Sequence, residues 1–261
     1  MKSKNKKMQK FKKKKIIYSF VSEIKINELV DFIHICLKKK TKKKYICLTN
    51  VHSISESFKN SSFRKVQNSA DLSLPDGRPI YWLLKLLGSK NAEHLPGYFV
   101  TEKLCELADK KKLNIGFYGS TDDNLNKIKI NLRNKFKKLK IKYTYSPPFR
   151  PLTHVEDKKI ITQINKLKID ILFVCLGCPK QELWMYKQRN KLNCTMLGIG
   201  AVADFLSGNK ILPNKFFEYL GLAWFIRLIT EPRRLFWRYF STNFLFILLI
   251  FLQITGLKKF K

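Results

Sequence analysis

Residues 169–176, reading I-D-I-L-F-V-C-L, constrain the fold most, because the run is apolar at nearly every position rather than at every second one. A strand of this kind has to be covered on both faces, as a central strand of a parallel sheet is covered by helices. Shorter apolar runs stand at 16–20, 45–48, 113–118, 141–145 and 194–199. Between them, apolar residues at helical spacing fill 24–37, 80–87, 100–111, 122–139 and 156–167. Strands alternating with helices over short connections predict an α/β protein with a doubly wound, mostly parallel, Rossmann-like sheet.

The pattern places this core at 16–215, between a disordered basic tail at 1–15 and a helical appendage at 216–261. The appendage is rich in aromatic residues and arginine, and Pro232 is expected to interrupt it. Its unbroken apolar run, 244–252, has nine residues between Asn243 and Gln253. Spanning a bilayer takes about 20. A helix in the membrane interface, with Trp224 and Trp237 at headgroup depth, therefore fits better than a span. The other available covers are the core itself and a sister subunit, the latter making a homo-oligomer.

The formal charge of +33 invites a nucleic-acid reading, but only nine of the 52 basic residues are Arg. Lysine is spread almost everywhere, as on solvated faces, and no aromatic residues interleave with it on a strand, so no nucleic-acid partner is expected. Four arginines, Arg227, Arg233, Arg234 and Arg238, fall within twelve residues. Their planar forks suit phosphate. The six cysteines sit mostly in apolar runs and read as small hydrophobes of a reducing cytosol. Cys175 and Cys178 form C-x-x-C without a second pair or a histidine at finger spacing, so no metal site is expected there. The first fifteen residues lack the apolar stretch of a signal peptide.

Chemistry-bearing residues gather at predicted strand ends, where ligands of open α/β sheets collect. Asp76 stands in a Pro-Asp-Gly turn after a short apolar strand. That tripeptide is also a common turn with no further role. Thr49, Asn50 and His52 follow the strand at 45–48, where Asn50 and a neighbouring serine can equally cap a helix. Gly119 and Ser120 end another strand before a helix, a weak phosphate signal without G-x-G-x-x-G or a Walker lysine. Asp204 either caps a helix or lines a site.

Four stretches together, N-V-H-S-I at Asn50, A-D-L-S-L-P-D-G at Ala70, L-G-C-P-K-Q-E at Leu176 and G-L-A-W-F-I-R-L-I-T-E-P-R-R-L at Gly221, resemble the WecG/TagA/CpsF glycosyltransferases over about 16–239. The D-G-x-P turn and S-P-P-F-R-P-L look most like its exopolysaccharide branch. The resemblance implies transfer from a UDP-sugar donor to a polyprenyl-diphosphate-linked sugar acceptor, at the cytoplasmic face of the cell membrane and peripheral to it. The sugar would be N-acetylmannosamine, its uronic acid or glucose. The family's catalytic aspartate falls on Asp76, its strand-end asparagine on Asn50, its glutamine on Gln181 and its C-terminal arginines on Arg227, Arg234 and Arg238. Three positions depart from the pattern. Leu48 replaces a threonine, with Thr49 displaced by one place; His94 replaces an arginine; and Ala223 replaces a glutamate. Thr49 and His94 are kept as substrate contacts.

Inverting transfer needs one base for the acceptor hydroxyl, the role this gives Asp76. The sequence has no D-x-D to hold a metal against the departing diphosphate, so arginines and backbone N–H groups are expected to balance that charge without metal or cofactor. A nucleotide-cofactor enzyme on the same sheet is the rival within enzymes. It lacks the glycine fingerprint and the ribose acid.

Overall fold

The computed structural model describes residues 11–39, 41, 43–212 and 214–260; the side chains of Lys215 and Arg234 lie outside that description. The chain opens with β1 (Lys13–Ile16) and β2 (Ser19–Ser22), an antiparallel hairpin in which Lys13 faces Ser22. Two expectations change here. The basic tail does not run unstructured to Lys15, and 16–20 is not one strand, because Ile17 turns the chain in the left-handed region at φ 58°. Lysine stems can line a ribbon while their ammonium groups reach out, and Lys13 Nζ does so by donating to the Ala70 carbonyl over 2.9 Å.

The alternating core follows as α1 (Ile26–Lys38), β3 (Lys44–Thr49), α2 (Val51–Lys59), α3 (Ser61–Asn68), β4 (Leu72–Pro75), α4 (Arg78–Leu86), α5 (Gly97–Lys111), β5 (Asn114–Gly119), α6 (Asp122–Lys135), β6 (Lys140–Tyr145), α7 (His154–Lys166), β7 (Ile171–Cys175), α8 (Lys180–Gln188), β8 (Thr195–Gly198) and α9 (Val202–Leu206). The last helices are α10 (Lys215–Tyr219), α11 (Ala223–Thr230) and α12 (Pro232–Ile254). Strands β3 to β8 form one parallel sheet in the order β4-β3-β8-β7-β5-β6. This is the doubly wound architecture expected from the apolar alternation.

Strand β7 has every residue buried, as its unbroken apolar run requires. Its side chains alternate between two cores. Ile171 and Phe173 join one, with α1 and α5, while Leu172 and Val174 join the other, with α7 and α8. Burying each such side chain stabilises the fold by about 1.5–3 kcal/mol. Leu48 and Cys47 in β3 divide the same way.

Pro232 ends one helix and begins another, occupying the first turn of α12, where its missing N–H costs nothing. Helix α12 then runs 23 residues, well past the nine-residue apolar run. Asn243 and Gln253 do not stop it. Asn243 borders the main cavity, and Gln253 bonds the hairpin through Nε2 to the Lys15 carbonyl and through Oε1 from the Ile17 N–H. By length and composition alone, 235–254 could cross a membrane. In the fold, one of its faces packs on the core, with Phe246 and Leu249 against Ile16, Ile17, Ile54 and Leu84. The opposite face leaves Trp237, Phe240, Phe244 and Phe251 exposed.

Candidate active site

The carboxyl ends of β3, β4, β7 and β8 open into one cavity of about 1030 Å³, roofed by residues of α10, α11 and α12. Asp76 enters it directly after β4, with its backbone N–H donating to the Thr49 carbonyl over 3.0 Å. Its carboxylate is held from two sides. Asn50 Nδ2 donates to Oδ2 at 3.1 Å, and the Gly97 N–H, at the start of α5, donates to Oδ1 at 2.7 Å. That N–H is a free donor at a helix N-terminus, where negative charge is favoured. The approach requires glycine, since a Cβ on residue 97 would lie 2.6 Å from Leu48 and 2.8 Å from Val202.

Burial raises the pKa of Asp76; the Asn50 amide, the Gly97 N–H and the Arg227 cation oppose the rise without cancelling it. A raised pKa makes the ionised carboxylate a stronger base. Each of its oxygens keeps acceptor capacity beyond the one bond described.

Asn50 is the helix cap, and the same side chain also reaches Asp76. Its Oδ1 accepts from the Ser53 N–H at 3.1 Å as the N-cap of α2, which turns Nδ2 toward Asp76. His94 borders the cavity, and its Nε2 bonds the Asp76 carbonyl at 2.8 Å, bracing the turn from behind. Burial first, then the Arg78 cation, push its pKa down to about 4, so it is neutral near pH 7 and Nε2–H is the donor. Its Nδ1 faces Glu218 of α10 at 3.8 Å, and Glu218 also accepts from the Tyr98 hydroxyl at 2.7 Å. His94 and Ala223, two of the departures noted in the sequence, thus share one cavity with a carboxylate five residues before Ala223.

Gln181 is buried at the opposite wall, where it packs on Gly198 and Gly200. Its Nε2 donates to Glu182 at 2.9 Å, while Oε1 has no partner among the described residues. Unmade hydrogen bonds at a buried amide are costly, and a ligand donor would satisfy this one. Arg227 and Arg238 reach the cavity from α11 and α12, and each has a buried Nε without an acceptor among the described residues. The Arg234 side chain lies outside the described residues.

Thr49 does not join this set. Side chains alternate along β3, so Leu48 faces the cavity while Thr49 is fully buried on the other side, its hydroxyl 3.4 Å from Gln67 Nε2. Gly119 and Ser120 are also off the cavity, with Ser120 engaged by Ser146 and Asn124. Asp204 borders the cavity without capping a helix. It accepts from Asn124 at 3.0 Å and pairs with Lys210 at 2.7 Å, and Lys210 also pairs with Glu231 at 2.7 Å. His52 lies on the rim beside Arg238, its pKa lowered by burial and then by that cation.

Arg78 is the residue that sequence reasoning passed over. It lines the cavity two residues after Asp76, its Nε lacks an acceptor among the described residues, and it stands over the Tyr219 ring at 5.1 Å. Its scarcity was a usable signal, since Arg78 is one of only five arginines outside the C-terminal cluster. Glu182, a buried carboxyl beside Gln181 with its pKa raised by burial, was likewise passed over.

The chain is similar to the N-acetylglucosaminyldiphosphoundecaprenol N-acetyl-beta-D-mannosaminyltransferase of Bacillus spizizenii, with 30% identity over 196 residues, covering 74% of this chain and 73% of the relative. The protein of the same name from Bacillus subtilis is 29% identical over 178 residues, 67% of each chain. That of Staphylococcus aureus strain NCTC 8325 is 20% identical over 198 residues, 76% of each. The family described as "Glycosyl transferase WecG/TagA/CpsF family" matches residues 15–260. A half-buried aspartate at the mouth of a parallel sheet, under arginine-bearing helices, therefore sits in a chain that belongs to the WecG/TagA/CpsF family of glycosyltransferases.

Proposed function

We propose that this glycosyltransferase moves N-acetylmannosamine from a UDP-linked donor to N-acetylglucosamine carried on a polyprenyl diphosphate, with inversion and without a metal. The donor sugar and the acceptor follow the names of the bacterial relatives, which offer no support for glucose or the uronic acid. The observation that carries the chemistry is that Asp76 lines one cavity together with Arg78, Arg227 and Arg238.

Asp76 accepts the proton of the acceptor hydroxyl as its oxygen bonds to the anomeric carbon. The bond from that carbon to the UDP oxygen breaks on the opposite face, and its electron pair leaves with the diphosphate. Guanidinium donors meet that growing charge where a metal would otherwise be needed. Gln181 contacts the donor through its open Oε1, and His94 acts indirectly by bracing the Asp76 turn. Helices α10 to α12 close the site, and their exposed aromatic face touches the inner surface of the membrane, where a lipid-linked acceptor resides.

The test is transfer by purified full-length protein from UDP-N-acetylmannosamine to a short-chain lipid diphosphate N-acetylglucosamine, with and without EDTA. Product formed at the same rate in both is expected. No transfer would refute the function, and a rate that collapses and returns with Mg²⁺ would refute the arginine mechanism.

A further inference from the structure

A second, smaller cavity of about 410 Å³ lies between α4 and α12. Its walls are almost wholly apolar, chiefly Trp82, Leu83 and Leu86 from α4 and Ile250, Phe251 and Ile254 from α12. Three of its residues, Pro79, Phe246 and Ile247, also border the active-site cavity, so the two spaces adjoin along α12. Nothing in the transfer chemistry uses this groove. Exposed apolar surface that runs out of a polar site in this way marks a place for an apolar ligand.

We infer that the groove between α4 and α12 holds the first isoprene units of the acceptor's lipid chain. The inference rests on the proposed function, because it takes the acceptor to be a prenyl diphosphate. Helix α12 changes character along its length in the order such a molecule needs. Arg238, Thr242 and Asn243 face the active-site cavity, where a diphosphate would meet the guanidinium. Phe246 and Ile247 mark the junction, and Ile250, Phe251 and Ile254 continue on the groove side. From Ile247 to Ile254 the helix advances about 10 Å, enough for the start of a prenyl chain and far too short for all of a long one. The remainder would leave at the distal end, past Leu86 and Phe251, which are 65% and 57% exposed. A diphosphate fixed by arginines leaves its chain with one apolar path that adjoins the site.

The test compares dimethylallyl, geranyl and farnesyl diphosphates, of five, ten and fifteen carbons, binding to full-length protein without vesicles and below their micelle concentrations. The common headgroup cancels, so the affinity ratio reads the chain. Farnesyl diphosphate is expected to bind about tenfold or more tighter than dimethylallyl diphosphate, as buried methylene groups imply. In the double variant Leu86→Glu with Phe251→Glu, that ratio should fall close to one while dimethylallyl diphosphate binds as before. Ile254→Trp fills the distal end without adding charge. It should abolish only the gain between ten and fifteen carbons, which keeps the test decisive if the charged variant folds poorly. A wild-type ratio near one, or a ratio unchanged in both variants, overturns the inference. Variants that lose binding to anionic vesicles but keep the chain-length ratio also overturn it, and make the face a membrane contact. Chain-length-dependent binding by a wild-type protein that transfers no sugar would refute the proposed reaction and leave the groove assignment standing.

Discussion

Asn50 joins the N-cap of α2 to the Asp76 carboxylate with one side chain, accepting from the Ser53 N–H through Oδ1 and donating to Asp76 Oδ2 at 3.1 Å through Nδ2. The cap fixes the rotamer, and the rotamer fixes the donor. A mutation can therefore separate stability from chemistry at this position.

Asn50→Ser keeps a good capping oxygen and removes the amide, so thermal stability should change little. Asp76 then loses a donor to its charged form, and its already raised pKa rises further. The acidic limb of the kcat/KM profile should move to higher pH, because the base protonates earlier as pH falls. Asn50→Ala should show the same displacement and also lose about 1 kcal/mol of stability. Paired pH–rate and denaturation curves check both.

His94 gives folding its own pH dependence. In the unfolded chain it titrates at its ordinary value of about 6.5. The folded chain holds it down to about 4, so acidification protonates the unfolded state first. The His94 contribution is complete above about 6.5 and is lost as pH falls toward and through 4. His94→Gln should flatten the stability–pH curve in that window, measured by urea unfolding at a series of pH values.

Arg227→Ala and Arg238→Ala should each lower kcat by about 10²-fold, the usual cost of removing one donor from a site of developing charge. Arg78→Ala should fall in the same range although no sequence motif pointed to it. Lysine at these positions should restore only part of the rate, since an ammonium keeps the charge without the planar fork. Single-turnover assays at saturating donor separate this from weaker binding.

Helix α12 belongs to the core as much as to the roof. Phe246 is buried against the hairpin and α4, so Phe246→Ala should destabilise the whole protein by about 3 kcal/mol. Deleting 216–261 should expose this apolar face and yield an unstable, aggregating product rather than a folded, inactive core. Denaturant unfolding and light scattering report the two outcomes.

The parallel sheet was legible because burial on both faces leaves its mark on every residue of β7. The strand-end position of Asp76 was legible because turn chemistry there is local. Facing was not. Thr49 and Leu48 are neighbours in sequence, yet the pleat sends one under α3 and the other to the cavity, and a register error of one residue exchanges them. The hairpin was hidden by its lysines, whose charge resembles that of a solvated tail. The length of α12 was hidden by Asn243, which borders the main cavity, and by Gln253, whose polarity is answered by the hairpin. Arg78 required knowing that α4 and the C-terminal helices meet over one space.

Sugar transfer turns on Asp76 as the base, and the most direct measurement is the single-turnover rate of Asp76→Asn against wild type, with donor affinity and thermal stability measured in parallel. Asparagine preserves the shape and keeps one acceptor oxygen, enough for either the Gly97 N–H or the Asn50 amide, but it cannot take a proton. The predicted result is a rate lower by about 10²–10⁴-fold with donor binding and folding intact. A variant that transfers sugar within a few-fold of wild type would contradict the account.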